Sequence, residues 1–455
     1  MKSLTTGNEA KGILFFVMPM LLGSVFQLMY NVVNTWVVGN FIGKSALGAV
    51  GASFPIIFVL ISLIIGISTG STVIISQYFG AKDYEKVKLS IDTVMVFLLV
   101  TSVIITVIGL IFSKQIFLLV KLPPELMKDA MTYFNVYLSG LVLLFGYNAV
   151  SGVLRGLGDS TTPLYFLIIS VVLNVILDLL FVIVFKWGIA GVAVATIISQ
   201  GFSFILSVIY LNRTHALLNF SLLRLRFDRE IFLKSLKISI PSGLQQTFVS
   251  IGMLALMTIV NTFGTDVIAA YTIASRIDSF ALLPAMNFSM ALSVFTGQNL
   301  GAKQMQRVKN GYKYTLWMTL LTSIVTTLVF LFFGRGIISG FNHDASVIEL
   351  GFQYLLVVSP FYIVFSFMFI NNGLLRGAGA TLIPMFITLF SLWGFRVPAS
   401  YFLSQWMGTY GIWTGIPVAW LFGGVCSYLY YKFGNWQKYI VVKSSIINES
   451  TEIGI

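Results

Sequence analysis

Residues 76–88 read SQYFGAKDYEKVK, and residues 297–309 read GQNLGAKQMQRVK. A displacement of 221 positions lays Gln77 on Gln298, Gly80-Ala81-Lys82 on Gly301-Ala302-Lys303 and Val87-Lys88 on Val308-Lys309. It also carries Leu154-Arg155-Gly156 onto Leu375-Arg376-Gly377, Gly158 onto Gly379 and Pro163 onto Pro384. Toward each end the register drifts by a few residues, as small insertions would cause: Pro19 meets Pro241, and Gly188 and Gly191 meet Gly411 and Gly415. The chain reads as a duplication, and each copy encodes half of the architecture.

Outward from those two turns the sequence is apolar. Of 455 residues, 57% are hydrophobic and 10% charged, far from the roughly one half and one quarter of a soluble globular chain. With 40 Phe, 19 Tyr and 8 Trp, the apolar surface exceeds what one aqueous core can hide, so the remainder faces lipid. The same composition excludes disorder. Apolar windows of roughly 20 residues, each able to cross a hydrocarbon core ~30 Å thick, fall at about 13–41, 49–79, 90–113, 130–152, 164–186, 189–211, 235–262, 267–297, 311–333, 349–373, 383–403 and 411–432. Helices are expected, because each segment must satisfy its own backbone and the alternation of a barrel strand is absent. The first two windows are long, which predicts tilt or a kink, and Pro19 supplies a kink site. Six spans per half is an even number, so both halves insert the same way up. The expected fold is an all-α polytopic membrane protein of 12 transmembrane helices, in two six-helix lobes related by a pseudo-two-fold axis along the membrane normal. Its expected divisions are an N-terminal lobe over 1–211, a cytoplasmic linker over 212–237 and a C-terminal lobe with cytoplasmic tail over 238–455.

The net charge of +12 would suit nucleic acid only if the basic residues clustered on a soluble face, and here they lie between apolar runs. Counted by side, twenty Lys and Arg fall with the amino terminus, six fall opposite, and Arg276 and Arg396 lie inside spans. That asymmetry puts both termini in the cytoplasm and the chain in the plasma or inner membrane. The first apolar run is too long for a signal-peptide core, so it is expected to remain as a helix. A single cysteine, Cys426, and two histidines, His215 and His343, exclude an internal disulfide and a zinc cluster. Gly43-Lys44-Ser45 lacks the first glycine of a phosphate loop, since Val38 stands there, and Gly156, Gly158 and Asp159 form a turn rather than a dinucleotide fingerprint. No nucleophile–base set, paired acidic motif or cofactor loop points to an enzyme. The pairs Gly66/Gly70, Gly152/Gly156 and Gly373/Gly377 instead suit close helix approach.

Polar residues inside the spans carry the functional reading. A carboxylate at the bilayer centre costs about 2.5–3.5 kcal/mol on insertion scales, so each needs a partner or a task. Gln27, Tyr30 and Asn34 share a face of the first span. Ser170, Asn174 and Asp178 do the same on the fifth, Asn148 and Ser151 lie on the fourth, and Thr196 and Gln200 on the sixth. Asp178 is the carboxylate set deepest in this half, where desolvation favours loading it with a proton or cation. The plainer reading makes it interhelical glue bonded to Asn174 and Tyr30. The second half carries Arg276 and Asp278 on the eighth span, Arg396 on the eleventh, Gln245, Gln246 and Ser250 on the seventh, and Asn371 and Asn372 on the tenth. Asp278 is expected to form a structural ion pair with Arg396, because an arginine does not give up its proton.

Pro19, the run Tyr30-Asn31-Val32-Val33-Asn34-Thr35 with Gly39, Gln77 with Gly80-Ala81-Lys82, Leu154-Arg155-Gly156 with Gly158-Asp159, Asn174 with Leu177-Asp178, and the second-half counterparts together resemble the multidrug and toxic compound extrusion (MATE) family of secondary transporters. The resemblance covers essentially the whole chain and is closest to bacterial members whose coupling site lies in the N-terminal lobe. It implies two six-helix lobes around a substrate cleft, and export of amphipathic, often cationic, organic compounds by alternating access. The exchanged ion would be a proton or sodium. On this resemblance the ion-coupling residues are Asp178, Asn34, Tyr30, Asn174, Asn148 and Thr196. Cleft or gating roles are expected for Pro19, Gln27, Gln200, Gln245, Ser250, Arg276, Asp278 and Arg396. The family usually has Asp where this chain has Asn34, and an amide cannot take up a proton near neutral pH. The branch with acidic residues on helices 7 and 10 matches less well, since Ser250 and residues 365–372 offer no carboxylate. The expected partners are a small amphipathic substrate and the lipid bilayer, with no nucleic acid, no cofactor beyond the transported ion, and a monomeric state. The rival reading is a flippase for lipid or lipid-linked oligosaccharide of a related fold, in which Arg276 and Arg396 would meet phosphate.

Overall fold

The computed structural model describes residues 3–214 and 225–442, and every regular element among them is helical. The helices are α1 (Glu9–Val37), α2 (Lys44–Gly80), α3 (Tyr84–Leu119), α4 (Pro124–Ser139), α5 (Leu141–Gly156), α6 (Thr161–Leu179), α7 (Gly188–Thr214), α8 (Arg229–Asn261), α9 (Thr265–Gly301), α10 (Met305–Ser339), α11 (Ala345–Val358), α12 (Tyr362–Gly377), α13 (Leu382–Leu389), α14 (Val397–Met407) and α15 (Thr409–Phe433). Residues 215–224 of the expected linker, with His215, and the tail beyond 442 lie outside the described residues. Among the described residues eleven segments are long and apolar enough to cross a membrane, and α4 with α5 makes a twelfth that is bent by 51°. The bend falls at Gly140, where a side chain would run into Ile197 of α7. A close approach by a neighbouring helix thus sets a break that hydropathy does not register.

The helices are inside-out relative to a soluble bundle. On α10, Thr315, Thr319, Ser323 and Thr327 recur every four residues and are buried, while Leu321, Leu328 and Phe332 are exposed. On α3, Ser90, Ser102 and Ser113 are buried, while Ile104, Ile108 and Ile111 are exposed. Small polar residues let helix backbones approach, and large apolar ones meet lipid, as a bilayer requires.

Contacts divide the chain into two compact units. One contains Met18–Gly243, and the other joins Leu4–Val17 to the chain from Leu244 onward. In the first, α2 packs on α3, α4 and α5, and α7 packs on α4, α5 and α6. In the second, α9 packs on α10, α11 and α12, and α15 packs on α11, α12 and α14.

The duplication is visible down to single bonds. Ser68 Oγ donates to the Asn148 carbonyl at 3.3 Å, and Ser289 Oγ, 221 residues on, donates to the Phe369 carbonyl at 2.6 Å. Lys82 and Lys303 both take φ 60°, closing the turns after α2 and α9, and Gly158 and Gly379 take φ 88° and 91° after α5 and α12. Asp159 accepts from the Thr161 and Thr162 amides at 3.0 Å each and from Thr162 Oγ1 at 2.6 Å, so its carboxylate serves to start α6.

Candidate functional site

In the first unit α1, α6 and α7 bring five of the predicted residues into bonding contact. Asn34 Nδ2 donates to Tyr30 Oη at 3.2 Å, and Tyr30 Oη lies 3.3 Å from Thr196 Oγ1. Thr196 Oγ1 donates to the Val192 carbonyl at 3.1 Å, so it accepts from the tyrosine, and the donors run in one direction along the chain of groups. On α6, the Asn174 amide set to satisfy its neighbours donates to Asp178 Oδ2 at 2.9 Å and accepts from the Thr196 backbone N–H at 3.1 Å. Asn174 and Asp178, at i and i+4, are 1% and 0% exposed.

That directionality has a consequence. Every donor named is spent within the cluster or on a carbonyl, while Asp178 Oδ1 and Asn34 Oδ1 are buried and accept nothing. Buried acceptors without donors carry a desolvation cost of about 1–3 kcal/mol each, which a cation or proton removes. A carboxylate oxygen and an amide oxygen are each acceptors that suit a hard cation or a proton, and not an anion. Flanking the site, α1 and α6 end in π-helical turns at Val38–Ile42 and Leu180–Val184, which pack on each other and on α7. Such turns carry one extra residue per turn and recur where helices serve function.

The remaining predicted residues are placed otherwise. Asn148 Nδ2 donates to its own helix at the Leu144 carbonyl, 2.8 Å away, and so does not bond within the cluster. Gln27 is exposed, and Gln200 Oε1 is a further buried acceptor one turn beyond Thr196. Pro19 is half-buried within α1. Tyr133 of α4, which the stripe reading passed over, stands within electrostatic reach of Tyr30 and Asp178. Its signal was a tyrosine in an apolar window, indistinguishable there from packing.

In the second unit Gln245 Nε2 donates to Thr388 Oγ1 at 2.7 Å, and Ser250 Oγ donates back to the Gln246 carbonyl at 3.1 Å. The expected Asp278–Arg396 ion pair does not form. Asp278 accepts from Tyr362 Oη at 2.5 Å and from Tyr354 Oη at 3.2 Å, and the buried Arg396 acts on it only across a gap. Two tyrosine hydroxyls on α11 and α12 reach the carboxylate first and carry no desolvation cost of a second charge. Arg276 is exposed, so the two arginines sit in different settings. Replacing Tyr362→Phe leaves Asp278 one donor and is expected to lower stability by about 1–2 kcal/mol, read as a fall in the unfolding midpoint in detergent.

The MatE family model matches residues 19–180 and again 241–402, one match in each copy of the duplication. "Probable multidrug resistance protein YpnP" of Bacillus subtilis is 35% identical over 433 residues, covering 95% of this chain and 97% of that protein. "Probable multidrug resistance protein NorM" of Thermotoga maritima is 26% identical, with 96% of each chain covered. Among solved structures, an outward-facing conformation of a multidrug resistance MATE family transporter of the MOP superfamily is similar with a TM-score of 0.89 at 24% identity, covering 96% of this chain and 99% of that one. Likeness at that identity speaks for the fold.

Proposed function

Because the chain belongs to the MatE family, whose members here are multi-span membrane transporters, we propose that it is a multidrug exporter driven by a cation that loads at Asp178. The cargo is an amphipathic organic compound, typically a cation, and the driving ion is a proton or sodium moving the other way. The observation that carries this reading is the pair of unfilled buried acceptors, Asp178 Oδ1 and Asn34 Oδ1, in a cluster whose donors all point elsewhere.

Each residue then has a task. Asp178 carries the charge that the ion neutralises. Asn174 holds one carboxylate oxygen and so aims the other. Asn34 supplies a neutral oxygen, either to accept from a protonated Asp178 or to ligate sodium, and cannot itself carry the proton. Tyr30 and Thr196 fix the Asn34 amide so that its oxygen, not its nitrogen, is the free end. Loading removes a buried charge from the junction of α1, α6 and α7, and the ion drives transport only if it binds the two access states unequally. The excess of Lys and Arg on one side supports a cytoplasmic location for both termini.

Efflux of a fluorescent aromatic cation such as ethidium from proteoliposomes, under separately imposed proton and sodium gradients, tests the reading. One gradient is expected to drive export, and export under neither refutes ion coupling. Asn34→Asp places a second carboxylate on the same ion. It is expected to lower the half-activating concentration of that ion by about tenfold, since a charge roughly 4 Å away outweighs an amide dipole even at a high effective dielectric.

A further inference from the structure

Helix α1 is shared between the two units: Leu4–Val17 belongs with the second, and the chain from Met18, which carries Tyr30 and Asn34, belongs with the first. The division falls just before Pro19, a residue that has no N–H to give to the preceding turn. The amino-terminal end of α1 is held to the second unit through Arg307 near the start of α10. Arg307 Nη1 donates to the Gly7 carbonyl at 2.9 Å and to Glu9 Oε1 at 3.3 Å, and Nη2 donates to the Leu4 carbonyl at 3.3 Å. Its Nε donates to Asn299 Oδ1 at 3.1 Å, and Asn299 Nδ2 donates to the same Leu4 carbonyl at 3.2 Å. The Leu4 N–H in turn donates to Gln298 Oε1 at 3.0 Å, and Leu4 is 5% exposed. One guanidinium thus gathers two backbone carbonyls, a carboxylate and an amide, a use of its rigid fork that a lysine cannot reproduce. The Glu9–Arg307 pair is largely withdrawn from water, with side chains 15% and 20% exposed, so it is screened far less than a surface pair.

The duplication supplies an internal control. The displacement of 221 carries Lys86 onto Arg307, and Glu9 stands ten residues before Pro19 where Glu230 stands eleven before Pro241. Helix α8 is likewise divided between the units, after Gly243 and just beyond Pro241. Yet the start of α8 is held differently, the Asp228 N–H donating to Thr93 Oγ1 of α3 at 3.0 Å. Glu230 pairs with Lys234 of its own helix at 2.6 Å, and Lys86 pairs with Asp83 at 3.3 Å. Of the two homologous positions, the one at α1 has the arginine and the other a lysine.

We propose that Arg307 is a positioning residue for transport: it anchors the amino-terminal end of α1 to the second unit, so that movement of that unit is delivered along α1 to Tyr30 and Asn34. Arg307 touches neither ion nor cargo. Its effect falls on the rate of the cycle and not on binding. The inference rests on the transporter reading above.

The test uses full-length protein in proteoliposomes, with Cys426→Ser as background and ethidium as probe. Arg307→Ala is expected to cut maximal efflux by about tenfold while leaving KM and the equilibrium Kd for ethidium within about twofold. Arg307→Lys, which keeps the charge and a folded N-terminus but loses the fork, should fall between. Covalent restoration separates an anchor from a merely structural arginine: a disulfide between Leu4→Cys and Gln298→Cys in the Arg307→Ala protein should return at least about half of the lost rate, and reduction should remove it again. Unchanged maximal efflux in both Arg307 variants overturns the proposal. So does a cross-link that forms without restoring rate, or a loss confined to KM. Wild-type efflux in the same vesicles is the separate control: its absence refutes transport itself, whereas its presence with an indifferent Arg307 refutes only the anchor.

Discussion

Asp178→Asn is expected to lower gradient-driven export by roughly 100-fold, while the unfolding midpoint in detergent moves by less than about 3 °C. The two halves of that expectation come from the same geometry. Asn174 donates to Asp178 Oδ2, and an amide oxygen at that place accepts the same bond, so the link between the i and i+4 positions of α6 survives. The other carboxylate oxygen accepts nothing, so its replacement by a neutral group breaks no protein contact. What disappears is the charge. A neutral side chain offers an arriving cation little to bind and has no proton to exchange, so the ion can no longer favour one access state over the other. A roughly 100-fold loss of bias corresponds to about 2.7 kcal/mol of differential binding, within what one desolvated charge supplies. Downhill equilibration of the cargo should persist, which distinguishes lost coupling from lost transport. Measured side by side, uphill efflux in the variant equal to wild type removes Asp178 from the mechanism. Loss of uphill and downhill movement together makes it a structural residue.

Hydropathy and the 221-residue displacement were enough to read the span count and the duplication, because a bilayer imposes length and apolarity on every crossing segment. Side-chain period was enough to put Tyr30 with Asn34 and Asn174 with Asp178, since a helix fixes which positions share a face. Period says nothing of where a polar atom finds its bond. Asn148 lies on a polar stripe yet bonds the carbonyl four residues back, and Ser250 does likewise, so neither reaches across to another helix. The bend at Gly140 depends on Ile197, and the π-helical turns after Asn34 and Asp178 depend on packing against α7; neither leaves a mark in composition. The sequence pairs Asp278 with Arg396 because opposite charges inside spans call for each other, and period does not say which hydroxyls lie nearer. Tyr354 and Tyr362 reach the carboxylate instead, for a neutral donor satisfies it without burying a second ion.

Adding one methyl group at equivalent positions of the two copies is expected to have unequal effects. Gly152 and Gly373 lie 221 residues apart, each where α5 or α12 crosses α2 or α9. At Gly373 a Cβ would overlap the Ser289 backbone carbonyl, an atom that cannot move without displacing α9. At Gly152 the nearest atom is the Ser68 hydroxyl at 2.6 Å, which can rotate away, and the backbone oxygen behind it stands at 3.3 Å. Rotation sacrifices the Ser68 bond to the Asn148 carbonyl, whose 3.3 Å length marks it as weak. Gly373→Ala should therefore lose about 3 kcal/mol, the upper range for an overpacked contact. Gly152→Ala should lose about 1 kcal/mol, most of it the hydroxyl's bond. Gly336→Ala on α10, which meets nothing within 4 Å, should gain several tenths of a kcal/mol from helix propensity alone. Unfolding midpoints of the three variants in one detergent order them directly. If Gly373→Ala proves no worse than Gly152→Ala, then α9 and α12 are not held at backbone contact, and the second copy packs more loosely than the first.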